Sequence, residues 1–595
     1  MAERLVADLI VERLKAWGVQ RIFGYSGDGI NTVLGALRRS GTPRFVQARH
    51  EENAAFMAVG HAKYTGEVGV MLSTQGPGAV HLLNGLYDAK LDSVPVVAII
   101  GQQSRTVLGS AYQQEIDLLN LTRDVASFRQ QVNSPEQLPL VLDRAFKAAL
   151  TDWAPAVVII PHDIQQAPAP ELEQEHGIMH SAPVWSSPRL VPASADLEAA
   201  AALINDGERV ALLVGQGARQ ARRQVEALAD KIGAGITTSL LGKPYVDESH
   251  PLSAGVMGHL GTSASGFVLG ECDTLVIVGS DDPWSEFYPP PGAARAVQID
   301  VDAAAIGNRY PVEVAVTGDA AASLDALLPL LTSRAESPWR SRVEEGVRRW
   351  NRLAAERAAT PARLVNPELA VRELSDRLPS TAQVAVDVGS IVYWYARQLR
   401  LPEGVPAHLS STLASMGCSI PYGLAAKLAD PQRPVVALTG DGAMQMAGLS
   451  ELITVSRLWP QWADPRFVVL VLHNNELAEV TWEQREMEGD PRFEKSQALP
   501  DFSFARYAEL LGLQGIRVDD PAQLGAAWDA ALDADRPALI EVMADPDVPL
   551  LPPFPAGKEK GRTMMDALAQ EGPDTQHARE LLRTYLVQEE KLGKP

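Results

Sequence analysis

Apolar runs alternate with segments of helical periodicity along most of the chain. Residues 94–100 (VPVVAII), 156–160 (AVVII), 210–214 (VALLV) and 435–439 (VVALT) are runs of this kind. They lack the strict alternation of a half-exposed strand, which is typical of strands buried in parallel sheets with helices on both faces. The pattern therefore predicts an α/β fold of doubly wound parallel sheets.

Prolines and charged stretches divide the chain into units. At 595 residues the chain is too long for one hydrophobic core and suits about three domains with connectors. Five prolines between residues 166 and 193 indicate a surface connector. The predicted units are a first α/β domain (1–165), a proline-rich linker (166–193), a central α/β domain (194–335), a linking helix (336–360), a last α/β domain (361–545) and a tail with a terminal helix (546–595).

Composition excludes several functional classes. The formal net charge of -21, from 53 basic and 74 acidic residues, argues against a general nucleic-acid surface. Two cysteines, Cys272 and Cys418, cannot build a disulfide framework, so a reducing cytoplasm is the expected compartment. Residues 1–8 predict a charge-interrupted amphipathic helix instead of a signal peptide, and no apolar run approaches about 18 residues, so we expect a soluble protein.

A glycine turn with a carboxylate follows the apolar run at 435–439. Gly440, Asp441 and Gly442 open a helical segment near Ala443, and a further apolar run leads to Asn475. A helix that begins there directs free backbone N–H groups at a phosphate, and strands of a parallel sheet end at one edge. Magnesium prefers hard oxygen ligands, which suits the side chains of Asp441 and Asn475. The segment therefore predicts a metal and diphosphate site.

The same tripeptide occurs a second time, at residues 27–29, without a later strand and Asn-Asn pair, and there we interpret it as an ordinary βα turn. The later copy resembles the signature of thiamine diphosphate enzymes, and this resemblance extends along nearly the whole chain. It implies thiamine diphosphate and Mg²⁺ as cofactors. It also implies Gly440, Gly442 and Ala443 as cofactor-binding residues and Asp441, Asn475 and Leu477 as metal ligands.

Residues 49–58 (RHEENAAFMA) look like the catalytic-glutamate segment of that family, with Glu51 in its place. The family glutamate hydrogen-bonds the aminopyrimidine ring and favours the imino tautomer, whose nitrogen is the base for the thiazolium carbon. The alternative is that Glu51 only begins a helix and complements its dipole.

Two further segments resemble cofactor-contacting parts of the family. Met416, next to Gly417, matches the large apolar residue that bends the cofactor, although a methionine is also a common core gap filler. Gly76 matches the glycine turn of the first domain, and Asn84 is expected to face the cofactor ring. A tight turn with a helix cap is the alternative for Gly76 and Asn84.

The central unit resembles the flavin-binding middle domain of pyruvate oxidase and of pyruvate dehydrogenase (quinone). Glycines after strands let a diphosphate approach the backbone, and acidic residues at strand ends commonly hold ribose-like hydroxyls. A flavin-free domain that keeps only the scaffold is the alternative. The predicted FAD-binding residues are Gly215, Gly217, Gly258, Asp281, Asp300 and Asp319.

The order of segments, including the tail, looks most like the quinone-linked family. In that family pyruvate is decarboxylated, electrons pass to FAD, acetate leaves, and a membrane quinone reoxidises the flavin. The resemblance also implies a homotetramer with each cofactor site between two subunits. It further implies peripheral membrane contact through the terminal helix at 574–592, although a mixed-charge helix more often docks on its own protein.

Several departures keep other functions open. An apparent insertion near 458–465 fits a surface loop. Gln113 stands where related oxidases carry Phe before the active-site residue Gln114, and Val480 stands where they carry another aromatic, with Glu479 and Trp482 nearby. The alternatives are therefore a carboligase resembling acetolactate synthase or a non-oxidative 2-oxo acid decarboxylase, and thirdly an inactive scaffold protein.

Overall fold

The computed structural model of the protein describes residues 4–592 and contains three six-stranded sheets. Within these residues every pairing between the strands of the sheets is parallel, which confirms the three doubly wound α/β domains. Strands β4 and β6 are buried along their whole length because helices cover both faces of the sheet. The predicted N-terminal helix falls partly outside the described residues, and the observed first helix begins at Val6.

The first sheet has the order β2-β1-β3-β4-β6-β5. Its strands are β1 Arg21–Gly24, β2 Arg44–Gln47, β3 Gly69–Ser73, β4 Val96–Gln102, β5 Phe128–Gln131 and β6 Pro155–Pro161. Its helices are α1 Val6–Ala16, α2 Asn31–Ser40, α3 Glu51–Thr65, α4 Pro77–His81, α5 Leu83–Leu91, α6 Leu118–Leu121, α7 Leu138–Asp152 and α8 His162–Gln166.

The central sheet has the order β12-β11-β10-β7-β8-β9. Its strands are β7 Val210–Val214, β8 Gly235–Thr238, β9 Ser253–Val256, β10 Thr274–Val278, β11 Arg295–Asp300 and β12 Val314–Thr317. The helices of this part are α9 Ser194–Asp206, α10 Arg222–Ile232, α11 Ser263–Glu271, α12 Ala320–Leu327 and the connecting α13 Pro338–Ala358.

The last sheet has the order β14-β13-β15-β16-β18-β17. Its strands are β13 Gln383–Val386, β14 Ala407–His408, β15 Val435–Gly440, β16 Phe467–His473, β17 Gln514–Val518 and β18 Ala538–Met543. Its helices are α14 Pro367–Ser375, α15 Ser390–Gln398, α16 Ser419–Ala429, α17 Asp441–Ala443, α18 Leu449–Leu458, α19 Ala478–Glu483, α20 Glu494–Gln497, α21 Phe504–Leu510 and α22 Leu524–Leu532. Two π-helical turns, Met444–Gly448 and Gln484–Glu488, interrupt the helices that follow β15 and β16.

The first and last domains share one hydrophobic core. Helix α3 lies against α16, and Phe56 and Ala55 of the first domain are buried in the same cluster as Tyr422 and Ala425 of the last. A Cβ on Gly60, in the middle of α3, would lie 3.0 Å from the Cα of Tyr422, so glycine there permits the close approach of the two helices.

The tail consists of two helices, α23 Ala556–Gln570 and α24 Gln576–Leu592. In α24 the predicted apolar side is buried against the protein, and the hydroxyl of Tyr585 donates to Glu368 Oε1 at 2.9 Å. Glu589 is also buried and accepts a hydrogen bond from Arg357 at 2.8 Å. The tail helix therefore docks on its own protein. Among the described residues, no helix has the length and apolar character needed to cross a membrane.

The segment that carries the apparent insertion is partly exposed and partly packed, with Pro460, Gln461 and Ala463 at the surface. Trp459–Gln461 form one 3₁₀ turn, and Trp462 is buried with its ring 5.6 Å from Lys427 Nζ. The expectation of a simple surface loop is therefore wrong for this side chain. An aromatic ring that can cover a buried lysine gains more from packing than from solvent exposure.

Candidate active site

The last sheet reverses its strand order between β13 and β15, because β14 lies on one side of β13 and β15 on the other. Open α/β sheets bind ligands at such a switch point, outside the carboxyl ends of the strands. Gly389 follows β13 and Gly440 ends β15, and a Cβ added to either would meet no other atom within 4 Å. The two glycines therefore border open space where α15 and α17 begin.

Asp441 lies at this edge with its carboxylate already oriented. Oδ2 accepts hydrogen bonds from the backbone amides of Asn474 at 2.9 Å and Asn475 at 2.6 Å, and Oδ1 accepts from Gly442 at 2.9 Å. Asp441 is 3% exposed, and its burial raises the pKa although these amides favour the charged form. A carboxylate has about four lone-pair sites, so three amide donors leave room for a cation.

Asn475 is held in the left-handed region with φ 57°, next to Asp441. Its Oδ1 lies 2.7 Å from His473 Nε2, and His473 Nδ1 lies 2.8 Å from Glu541 Oε1. His473 and Glu541 are both fully buried. Burial lowers the pKa of His473, but the hydrogen bonds to Glu541 and Asn475 outweigh it and raise that pKa overall. The hydrogen-bonded pair of His473 and Glu541 therefore fixes the orientation of the Asn475 carboxamide.

Leu477 lies two residues further along the same loop. Its backbone oxygen accepts from the amide of Thr481 at 3.0 Å as α19 begins, and the Thr481 hydroxyl lies 3.3 Å from the same oxygen but 2.6 Å from Glu476 Oε1. When the single hydroxyl proton is donated to the nearer Glu476, one lone pair of the Leu477 oxygen remains for a cation. Its side chain covers the turn, since a Cβ on Gly442 would lie 2.8 Å from Leu477 Cδ2. The structure thus brings the three sequence-predicted metal ligands to one edge of the sheet, with Ala443 in the first helical turn.

The loop that carries Met416 reaches the same edge. Asp387, directly after β13, accepts from the amide of Gly417 at 2.7 Å and from that of Ser419 at 3.1 Å. Gly417 has φ 94°, and a Cβ there would lie 2.6 Å from the Cβ of Ala447 in the π-helical turn after Asp441. Met416 is half-buried, which leaves part of its side chain free to contact a ligand.

Glu51 is the first residue of α3 and is only 9% exposed. Its Oε2 lies 2.9 Å from His81 Nδ1, and a Cβ on Gly78 would lie 3.3 Å from its Oε1. The imidazole rings of His81 and His50 are 4.3 Å apart, centroid to centroid. A carboxyl enclosed in this way is oriented by its neighbours and sheltered from water, which suits a proton-sharing role.

Gly76 and Gln114 contact each other, whereas Asn84 contacts Glu52, the neighbour of Glu51. Gly76 has φ 58°, and a Cβ there would lie 2.8 Å from the Cβ of Gln114, whose Oε1 accepts from Gln75 at 3.1 Å. Asn84 does not cap a helix, because it lies inside α5 and donates to Glu52 at 2.6 Å and to Ser415 at 2.8 Å. It therefore links the first domain to the Met416 loop.

The residues singled out for FAD all lie at or just after the ends of strands of the central sheet. Gly215 and Gly217 come after β7, and a Cβ on Gly215 would lie 2.1 Å from the backbone oxygen of Gly279 after β10, so these glycines let two turns pack closely. The other four residues occupy the same edge of the sheet. Gly258 has φ 86° and faces Trp284, and a carboxylate oxygen of Asp281 lies 2.7 Å from Arg309 Nε. Asp319 caps α12 by accepting from the amide of Ala322 at 2.9 Å, and Asp300 accepts from the amide of Asp302 at 3.0 Å. Of these three aspartates, Asp281 pairs with an arginine and Asp319 caps a helix, whereas Asp300 does neither. Burial raises its pKa.

The positions where the sequence departs from the oxidases have different environments. Gln113 is exposed, and its backbone oxygen accepts from Gln103 at 2.8 Å. Val480 is 48% exposed, whereas Trp482 is buried and donates to the backbone oxygen of Pro546 at 3.0 Å. Glu479 is half-buried. Its burial, and to a smaller extent the negative charge of the nearby Glu483, raises its pKa to about 8. The second copy of the Gly-Asp-Gly tripeptide forms a turn between β1 and α2, as interpreted from the sequence.

Comparison with known proteins assigns the three domains. Residues 4–121 match the N-terminal thiamine pyrophosphate binding domain of thiamine pyrophosphate enzymes, residues 197–327 match their central domain, and residues 387–542 match their C-terminal binding domain. The chain belongs to the thiamine pyrophosphate enzyme family. It is thus a thiamine diphosphate-dependent enzyme of the 2-oxo acid class.

Relatives of this enzyme cover nearly its whole length. The putative thiamine pyrophosphate-containing protein YdaP of Bacillus subtilis is 34% identical over 565 residues, or 94% of this chain and 95% of its own. The large subunit of acetolactate synthase isozyme 2 of Escherichia coli is 32% identical over 93% of this chain and 98% of its own. Pyruvate oxidase of Lactiplantibacillus plantarum is 30% identical over 92% of this chain and 89% of its own.

Several residues of this site were not anticipated from the sequence. Asp387, Gly389 and Ser390 follow the short strand β13, and Ser390 lines one small cavity together with Asn474. A strand followed by a glycine and a helix is the same signal that identified Asp441, and it was available in residues 383–390. His473 and His81 had no such signal, because their partners lie far away in sequence.

Proposed function

We propose that the enzyme decarboxylates pyruvate or a related 2-oxo acid with thiamine diphosphate and Mg²⁺. The observation that carries the proposal is the meeting of Asp441 and Asn475 beside open space at the switch point of the last sheet. The carboxylate of Asp441, oriented by three backbone amides, offers an oxygen ligand together with the carboxamide of Asn475 and the backbone oxygen of Leu477. Hard oxygen ligands of this kind fit Mg²⁺ that is bound to a diphosphate. The residues of the site therefore fit the cofactor of the family.

Each residue has a defined task in this proposal. Asp441, Asn475 and Leu477 hold the metal ion, while the helix starts at Gly389 and Gly440 offer amides to the diphosphate. Met416 would pack against the cofactor, and Glu51 would hold a proton at the aminopyrimidine ring. The bound cofactor supplies the electron sink for loss of carbon dioxide. The protein contributes binding, orientation and the exclusion of water.

We further propose an oxidative outcome, in which electrons pass to FAD and then to a quinone or oxygen, and acetate is released. The six residues singled out for FAD lie at one edge of the central sheet, and the flavin-free scaffold is the competing interpretation. A pyruvate oxidase and an acetolactate synthase are both among the relatives that cover more than nine-tenths of the chain, so the likeness supports this outcome without separating it from carboligation. We propose a homotetramer in the cytoplasm, and membrane contact through the tail requires α24 to undock.

A carboligase is the second candidate, and two observations favour it. The side chains after Asn475 include a half-buried carboxyl, Glu479, and the exposed Val480, in a region where related oxidases carry an aromatic. The acetolactate synthase relative covers 93% of the chain. Acetate as the product supports the oxidase, and a 2-hydroxy-2-acyl acid supports the carboligase. The inactive scaffold is disfavoured by the intact set of Glu51, Met416, Asp441 and Asn475.

A visible spectrum separates the outcomes. The purified protein with Mg²⁺ and thiamine diphosphate is recorded before and after pyruvate is added without oxygen. Bleaching of a flavin band near roughly 450 nm supports electron flow from substrate to flavin. A flavin that stays oxidised while pyruvate is consumed, or the absence of flavin, contradicts the oxidative proposal and favours the carboligase or a simple decarboxylase.

A further inference from the structure

A buried ion pair connects the first domain to the loop that carries Met416. Lys63 Nζ lies 2.7 Å from Asp92 Oδ2 and donates at 2.7 Å to the backbone oxygen of Leu409. The side chain of Lys63 is 4% exposed, and Asp92 is fully buried. Lys63 Nζ also lies 3.8 Å from Oδ1 of Asp88, a second fully buried carboxylate. Because an unpaired charge at this depth is costly, the three groups and their hydrogen bonds depend on one another.

Asp92 binds the Met416 loop through both carboxylate oxygens. The amide of Ser411 donates to Oδ2 at 3.0 Å, and that of Thr412 donates to Oδ1 at 2.8 Å. The other end of the loop is held by Asp387 through Gly417. Hydrogen bonds to a charged acceptor are stronger than neutral ones, so residues 409–418 are fixed at both ends with Met416 between them.

The pair lies on the two helices that carry other residues of the proposed site. Helix α3 begins with Glu51 and contains Lys63 in its last turn. Helix α5 contains Asn84, and Asp92 follows its last residue. A clamp at the far ends of these helices therefore sets the position of the Met416 loop relative to the first domain of the same chain.

The backbone of Asp92 also contacts the central domain. Its carbonyl oxygen accepts a hydrogen bond from Gln216 Nε2 at 2.9 Å. Gln216 lies between Gly215 and Gly217 in the turn after β7, where FAD binding is proposed. One residue of the first domain thus contacts both the loop of the last domain and the glycine turn of the central domain.

We propose that Lys63 and Asp92 are positioning residues that fix the Met416 loop against helices α3 and α5 of the same chain, and that Gln216 holds the central glycine turn at the same point. The significance of this clamp for catalysis rests on the role of Met416 in the proposed function. The clamp itself does not, because it is formed by protein atoms alone.

Amide hydrogen exchange in the cofactor-free protein tests the clamp. In Asp92→Asn, which keeps the shape of the side chain and removes its charge, peptides from 409–418 should exchange about tenfold faster than in the wild type. Asp143→Asn is the matched control, because Asp143 is a 1% exposed carboxylate of the first domain that binds Arg13 at 2.9 Å. It should leave exchange at 409–418 unchanged. Wild-type protection of this loop in a folded Asp92→Asn protein overturns the proposal.

Substitutions at Lys63 provide a second test that stands if Asp92→Asn does not fold. Lys63→Arg keeps the charge and should retain protection at 409–418, whereas Lys63→Met should lose it. Equal protection in both variants contradicts the clamp. Gln216→Ala should speed exchange only in the turn at 215–218, and an unchanged turn refutes the link to the central domain.

The two proposals fail in different ways. If Met416→Ala retains wild-type turnover, the proposed role of Met416 fails, while the exchange experiment still decides whether Lys63 and Asp92 hold the loop. If the role of Met416 holds and the clamp exists, Asp92→Asn should lower kcat more than it raises the KM for substrate, because the residue contacts no substrate. A rise in KM alone contradicts a positioning role.

Discussion

Glu541→Gln should weaken the binding of Mg²⁺ although Glu541 does not reach the proposed metal site. Its Oε1 lies 2.8 Å from His473 Nδ1, and its Oε2 accepts from the amide of Ala505 at 2.8 Å. Glutamine has one oxygen for these two donors, so one hydrogen bond is lost. A bond to a charged group in a site without solvent contributes about 1.5–3 kcal/mol.

The loss reaches the metal through His473, whose Nε2 lies 2.7 Å from the carboxamide of Asn475. Disturbing a residue that orients a ligand typically costs about 10–100-fold in metal affinity, or about 1.4–2.7 kcal/mol. The assay is a titration of the cofactor-free protein with Mg²⁺ in the presence of thiamine diphosphate, followed by tryptophan fluorescence.

Asp501→Asn is the control for this prediction. Asp501 Oδ1 lies 3.4 Å from the same His473 Nε2, but its side chain is 80% exposed, so water screens its contribution. The Mg²⁺ affinity should stay within about twofold of the wild type for this variant. An unchanged affinity in Glu541→Gln, or an equal loss in Asp501→Asn, would refute the idea that the buried pair orients Asn475.

Three further predictions concern other parts of the molecule. Glu51→Gln should lower turnover by about 10²-fold or more without changing the circular dichroism spectrum, and undiminished turnover would contradict its catalytic role. Met416→Ala should lower kcat by about 10²-fold while thiamine diphosphate still binds in a calorimetric titration. The variant loses the side chain that would pack against the cofactor but keeps the residues proposed to bind its diphosphate and metal ion. Burial raises the pKa of Asp282 to about 6, so between about pH 4 and pH 6 the folded state holds a proton that the unfolded state releases. The free energy of unfolding of the wild type should therefore fall relative to that of Asp282→Asn as the pH rises through this range. The melting temperature of the wild type minus that of Asp282→Asn should therefore fall over this range, and a constant difference would contradict the assigned cause.

The fold was largely predictable because its signals are local in sequence. The run at 94–100 corresponds to β4 Val96–Gln102, and the run at 156–160 corresponds to β6 Pro155–Pro161. Fully buried strands leave continuous apolar runs, which need no knowledge of partners. The meeting of Asp441 and Asn475 was predictable for the same reason, since both follow strands of one parallel sheet.

The residues behind the site were not predictable in this way. His473 lies at the end of an apolar strand, and its partner Glu541 is 68 positions away on the neighbouring strand β18. The contact of Asp92 with Thr412 depends on the packing of α3 against α16, which spans more than 300 positions. Trp462 was expected in a surface loop because insertions usually are exposed, and only the packing around Lys427 shows why it is buried.

Decarboxylation of a 2-oxo acid at a site built from Glu51, Asp441 and Asn475 can be tested in one experiment. The most direct measurement is the release of labelled carbon dioxide from [1-¹³C]pyruvate by the protein loaded with Mg²⁺ and thiamine diphosphate, compared with the Glu51→Gln variant. We expect labelled carbon dioxide from the wild type and at least about 10²-fold slower release from the variant. Equal rates in the two proteins, or no release from pyruvate or any other 2-oxo acid while the cofactor is bound, would contradict it.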